Sequence, residues 1–222
     1  MRIGLILLSV FFCVGLIGCI KHDSIAEQAP EETAEKEADT EQWDQVFLQR
    51  IETEMKKDQR DFTLSLQDGS SFAGKEKDGE WNLTSTDTEK EESIKAVQED
   101  GMIKLTRGDQ TEELSTRQFG LVAPQDHFQL VRDSVQRVNK ETKAGQDWYV
   151  VDLNKEDLGD KLGHWMGKPY DQGAASQASR KFIFQYRFQF DENHLRQMVI
   201  RVTSLEDSDA NELVEYTFEP DK

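Results

Sequence analysis

Between Phe182 and Phe190 the chain reads FIFQYRFQF, with an aromatic ring at every second position. A period of two marks a β-strand, because successive side chains point to opposite faces of a sheet. Phe182, Phe184, Tyr186, Phe188 and Phe190 therefore share one face, and Ile183, Gln185, Arg187 and Gln189 share the other. Five rings on one face must lie against something apolar. The alternatives are a filled hydrophobic core or the wall of a cavity that holds a ligand.

Other segments supply partners for that strand. Phe62, Leu64 and Leu66 alternate in DFTLSLQDGSS, and Trp81 and Leu83 in GEWNLTS. In SIKAVQEDGMIKLTRGDQTEEL the pair Asp100-Gly101 separates two alternating runs, as a hairpin turn does. DWYVVDLN, with Trp148, reads as a strand, and FIFQYRFQF turns at Asp191-Glu192-Asn193 into HLRQMVIRV. LVEYTFE closes the chain with Val214, Tyr216 and Phe218 on one face. Antiparallel sheet is the expectation.

Helical spacing appears in two places. Trp43, Val46, Phe47, Arg50, Ile51 and Met55 fall on one stripe, along which the arginine stem can lie. After Pro124 a second helix is expected, with Asp126 as N-cap and Phe128, Val131, Val135 and Val138 on its apolar stripe. Asn154 suits the cap of a short helix carrying Leu158, Leu162 and Trp165, and Gly163 to Ser179 reads as a mobile loop. Strands interrupted by helical segments predict an α+β fold, an antiparallel sheet with amphipathic helices packed on one side. The inward-facing inventory adds Trp148 to the rings above. At roughly 1.5–3 kcal/mol per buried large side chain, it suffices to fold a domain without disulfides.

The N-terminal segment has a different character. An apolar run from Ile3 to Leu16 follows Arg2 and is too short to span a bilayer comfortably. It ends in Leu16-Ile17-Gly18-Cys19, which resembles the lipobox of bacterial lipoprotein precursors. That resemblance implies a signal peptide over residues 1–18 and a diacylglyceryl group on Cys19, which would hold the protein on the extracytoplasmic face of a bacterial membrane. Two acyl chains anchor stably where one is marginal. The other cysteine, Cys13, lies inside the signal, so no disulfide pair remains. Residues 19–41 follow as an acidic tether expected to stay disordered, since IKHDSIAEQAPEETAEKEADTE has almost nothing to bury. Residues 42–222 form the single domain.

The formal charge of -17 argues against nucleic acid, anionic lipid surfaces and phosphate-rich polymers as direct partners. His22, His127, His164 and His194 are isolated, without zinc-site spacing, and read as surface or loop residues. Asp207, Asp209 and Asn211 begin like a calcium loop. Glu212 and Phe218, however, stand where that loop needs a glycine and an acid. No nucleophile–base pair, phosphate loop or dinucleotide loop occurs, so neither an enzyme, a cofactor nor a metal is expected.

The layout from residue 42 to 219 resembles the LolA/LppX-like bacterial lipoproteins and lipoprotein carriers. The resemblance rests on the lipobox, the opening helix QWDQVFLQRIETEMKK, the meander, the helix after LVAPQDHFQLV and the closing ELVEYTFE. It implies a curved antiparallel sheet, an incomplete barrel, that half-wraps helices around an apolar cavity for a lipid or acyl ligand. The cavity would be lined by Phe182, Phe184, Tyr186, Phe188, Phe190, Phe62, Leu64, Leu66, Trp81, Tyr216 and Phe218. Tyr186 would orient the ligand's polar end. A soluble shuttle such as LolA lacks the anchor that Cys19 implies here. The alternative function is an envelope protein-interaction module with a filled core and an acidic surface.

Overall fold

A computed structural model describes residues 33–86, 94–99, 102–115, 122–159, 181–206 and 211–220. The signal segment, Cys19, Asp100-Gly101, Leu162, Trp165, the expected loop at 163–179, His22, His164, Asp207 and Asp209 lie outside them.

Helix α1 (Thr33–Met55) leads into a meander of six strands. These are β1 (Gln59–Leu66), β2 (Ser71–Lys77), β3 (Glu80–Ser85), β4 (Ile94–Glu99), β5 (Met102–Arg107) and β6 (Gln110–Ser115). Helix α2 (Pro124–Ser134) follows. A second meander comprises β7 (Val135–Lys143), β8 (Gln146–Leu153), β9 (Phe182–Asp191), β10 (His194–Ser204) and β11 (Asn211–Phe218). All strands join one antiparallel sheet in the order β6-β5-β4-β3-β2-β1-β11-β10-β9-β8-β7. The two meanders meet where β1 pairs with β11, Leu64 opposite Tyr216 and Phe62 opposite Phe218. The sheet stays open, with β6 and β7 as its edges. The chain must travel from one edge to the other, and it carries α2 across one face on the way. The expected α+β architecture, with helices on one side of an open antiparallel sheet, is the one observed.

Tight turns fix the register. Asp78 and Gly79 both have positive φ (54° and 82°) between Lys77 and Glu80, and Ala144 and Gly145 (54° and 79°) between Lys143 and Gln146. Positive φ at both central residues matches the twist of the flanking strands. Gly74 has a separate reason to lack a side chain. It lies opposite Phe62, and a Cβ there would overlap the Phe62 ring.

The α1 stripe is the expected one. Phe47 and Ile51 are fully buried, and Trp43, Val46 and Arg50 half-buried. The Arg50 guanidinium lies over the rings of Tyr149 (5.3 Å) and Phe190 (5.1 Å). The helix begins earlier than the tether assignment for residues 19–41 implies, at Thr33. Ala34, Glu35, Lys36, Glu37 and Ala38 are strong helix formers, and the docked half of α1 supplies the costly nucleus from which they extend. Its outer edge is tied down where the Asp44 carboxylate accepts the Val138 backbone N–H at 2.6 Å.

Two expectations about α2 need correction. Its N-cap is Ala123, with no side-chain cap, and Pro124 takes the first turn, where its missing N–H costs nothing. Asp126 sits inside that turn instead. The helix also ends at Ser134, so Val135 and Val138 belong to β7, with Val138 fully buried. Valines suit either period, but Val135 already has extended geometry (ψ 128°). The Ser134 carbonyl at the helix end accepts the Asn154 N–H at 2.7 Å. Asn154 itself caps residues 155–159 as expected: its Oδ1 accepts the N–H of Glu156 at 2.9 Å, and Leu158 is buried.

Candidate functional site on the helix-facing side of the sheet

Strand β9 has the alternation read in the sequence. Tyr186, Phe188 and Phe190 are buried on the helix-facing side, Phe182 and Phe184 are half-buried, and Ile183 on the opposite side is exposed. Trp148 differs from its expected inward position. Tyr149 and Val151 face the helices, and Trp148 lies on the outer face opposite Gln189, beneath the Arg187 guanidinium at 5.3 Å. In WYVV both faces carry apolar residues, so alternation alone does not say which is inside.

The structure brings the predicted rings together across four strands. Phe62 contacts Tyr216 (5.7 Å between centroids) and Phe218 (6.5 Å), and Tyr186 stacks on Phe188 (6.1 Å). Phe128 of α2 rests between Phe188 (6.5 Å) and Phe218 (6.1 Å), while Phe47 of α1 meets Phe188 at 5.1 Å. Leu64 and Trp81 are buried on the same face further along the sheet, followed by Leu83, Ala96, Ile103 and Leu105. Neighbouring strands are about 4.8 Å apart, so this apolar wall extends roughly 24 Å from β11 to β5. A helix is only about 10 Å across.

At the centre lies His127, which sequence spacing placed on the surface and which is in fact buried. Its Nδ1 is 2.9 Å from the Tyr186 hydroxyl and its Nε2 3.1 Å from the Tyr216 hydroxyl. Tyr216 donates its proton to the Val122 carbonyl at 3.0 Å, so it must accept from Nε2–H. Nδ1 is then the acceptor for Tyr186 O–H. The tautomer assigned from this network is a neutral imidazole protonated at Nε2. Burial raises the pKa of both hydroxyls, and for Tyr216 the nearby Tyr186, Asp126 and Glu76 add to the effect. The hydroxyl expected to orient a ligand is thus bonded to α2. No sequence signal marked His127, because its partners lie far along the chain and the imidazole has no spacing pattern of its own.

A second buried polar group closes one end of the sheet. Arg60 pairs with Glu76 (Nη1 to Oε2, 3.0 Å), donates from Nη2 to the Glu54 carbonyl, and covers the Phe128 ring at 5.2 Å. Glu76 also accepts the Gln125 N–H at 3.4 Å, and Glu54 accepts the Leu195 N–H at 3.2 Å and pairs with Lys57 at 3.1 Å. Desolvation raises the Glu76 pKa in spite of the opposing pull of Arg60. Asp126, at the start of α2, is pushed up to about 6 by burial. A cavity of about 210 Å³ opens beside this network, lined by Glu54, Lys57, Arg60, His194 and Phe218 among others. These side chains are held by one another, and among the described residues no group of His, Cys, Asp and Glu could hold a metal ion.

The other end of the same face is built differently. Leu66 pairs with Val214, Val214 with Ile200, and Val202 with Phe184. Leu66, Val214, Val202 and Phe184 pack against the core while remaining only partly buried. One end of the wall thus carries a buried ion pair with a small cavity beside it, and the other presents a half-exposed apolar edge.

Among solved structures, the chain is similar to LprF from Mycobacterium bovis, at 12% identity over 82% of this chain and 96% of that one, with a TM-score of 0.46. It is also similar to the LolA superfamily protein NE2245 from Nitrosomonas europaea, at 13% identity over 79% of this chain and 91% of that one, with a TM-score of 0.28. No family model matches the chain, and no curated protein matches its sequence.

Proposed function

We propose that this protein is a lipoprotein, anchored through Cys19 to the extracytoplasmic face of a bacterial membrane, that binds or hands over a lipid or acyl ligand without covalent chemistry. The observation that carries this reading is the apolar wall. It runs unbroken from the rings under α2 to a half-exposed edge at Leu66, Phe184, Val202 and Val214. A wall that only filled a core would have reason to end in polar groups on both sides, as it does at Arg60 and Glu76. The ligand would lie along the helix-facing side, bounded by Phe182, Phe184, Leu66 and Trp81.

The packing of Phe128 and His127 onto Tyr186, Phe188, Tyr216 and Phe218 favours a second reading, the protein-interaction module with a filled interior. Native mass spectrometry separates the two. The full chain with Cys19→Ser, exported and purified without detergent, should carry hydrophobic adducts that organic extraction removes. A clean protein mass from several independent preparations would leave the interaction module as the better account.

A further inference from the structure

The outer face of the sheet carries a groove that the ligand-binding reading does not use. It lies between the tips of the β7–β8 and β9–β10 hairpins, encloses about 790 Å³ and continues onto Gln189, Gln197 and Thr217. That volume is within the range of small-molecule sites, about 300–1,000 Å³. Its lining mixes polar and apolar surface: the amides of Gln146 and Gln189, the Gln197 amide that donates to Glu215 at 2.5 Å, the carboxylates of Asp147, Asp191 and Glu192, and the guanidinium of Arg196, beside Phe190 and Gly145.

Most of the charge in this groove is already answered inside the protein. Asp147 pairs with Lys140 at 2.6 Å and accepts the Thr142 hydroxyl at 2.7 Å, bonds that hold its carboxyl below the usual carboxylate range. Asp191 pairs with Arg196 at 2.7 Å. An ionic ligand therefore finds little net field, and the excess that remains, on Glu192, repels anions. The side chains of Gln146, Gln189 and Thr217, by contrast, have no partner among the described residues. Each amide offers two donors and an acceptor in one plane, and the threonine adds a hydroxyl. The groove is framed by hairpins that turn at Ala144-Gly145 and Glu192, which sets the backbone spacing of the residues between them. Outside the lining, Trp148, opposite Gln189, is covered by Arg187, itself paired with Glu141 at 3.0 Å, and it supplies a fluorescent reporter next to Gln189. An indole offers an apolar face beside a polar edge.

Neutral donors and acceptors on Gln146, Gln189 and Thr217 beside apolar surface at Phe190, with Asp147 and Asp191 each paired to a cation, match a ligand rich in hydroxyls and poor in charge. We infer that the β8–β10 outer groove is a binding site for a neutral saccharide chain. The site is distinct from the one in the lipid reading: it shares only Phe190 with that cavity, whose ligand lies towards the edge at Leu66 and Phe184.

Titration of the full chain in detergent with chitotetraose and with maltotetraose, read by tryptophan fluorescence and by isothermal calorimetry, tests this. At least one should bind saturably. Gln189→Ala and Gln146→Ala should each weaken it about fivefold to tenfold, the equivalent of one lost hydrogen bond, with the melting temperature unchanged. Three outcomes would overturn the assignment: no binding of either probe at millimolar concentration, binding that the two variants leave intact, or tighter binding of tetralysine than of both saccharides.

Discussion

A single buried imidazole organises the polar chemistry of the helix-facing side. Removing the Tyr186 hydroxyl takes away one buried hydrogen bond, to Nδ1 of His127, whereas removing that of Tyr216 takes away two, from Nε2–H and to the Val122 carbonyl. Each such loss costs about 1–3 kcal/mol. Tyr216→Phe should therefore destabilise the fold more than Tyr186→Phe, by on the order of 1–2 kcal/mol, in urea unfolding. Equal costs would refute the proton placement derived above. Residues of this kind were the least legible in the sequence. The rings announced themselves through a period of two, but His127, Glu54, Arg60 and Glu76 are buried only because segments distant in the chain bring partners to them. A hydrogen-bond partner 89 residues away leaves no local pattern.

At the scale of elements, α1 and most of the strands were readable because their apolar positions repeat with a clean period. The boundary between α2 and β7 was not. Val131, Val135 and Val138 continue a helical spacing, and the strand they enter is an edge strand whose other side chains are mostly exposed. The start of α2 also departs from the expected cap, with an energetic consequence. Asp126 is half-buried in the first turn without an N-cap role, and desolvation raises its pKa from 3.8 to about 6. The folded state keeps a proton there that the unfolded state releases above about pH 4. The stability this confers is complete below about pH 4 and is lost as pH rises through about 6. Above that pH the buried carboxylate costs up to about 3 kcal/mol, partly offset by the helix dipole. Asp126→Asn should raise stability at pH 7 and leave it nearly unchanged at pH 4, flattening the slope between them. Denaturant midpoints at pH 4, 5, 6 and 7 for both proteins measure this. A variant whose midpoints run parallel to those of the parent would show that Asp126 is solvated.

At the scale of the whole molecule, the sequence disclosed an antiparallel sheet with helices on one side but not its order. Hairpin signals identify neighbours along the chain, while the junction of β1 with β11 depends on matching Phe62 and Leu64 to Phe218 and Tyr216 across the whole domain. That junction makes one continuous wall out of two meanders, so the open edges β6 and β7 lie at opposite ends of it. The two longer helices on such a wide sheet press most closely on β7–β11, and the lipid reading places its ligand where the wall continues beyond them. A ligand that binds only the folded state stabilises it by about 2.7 kcal/mol at a hundred times its dissociation constant. For a domain of this size each kcal/mol raises the melting temperature by about 2–4 °C. Monoolein, uncharged and so not repelled by a chain of net charge -17, should raise the melting temperature of delipidated protein by about 5–10 °C. Val202→Glu, which sets a charge on the half-exposed edge, should abolish most of that rise while leaving the ligand-free protein folded. If monoolein stabilises the parent and Val202→Glu equally, the ligand does not use this edge. If it stabilises neither, the space between sheet and helices is already full.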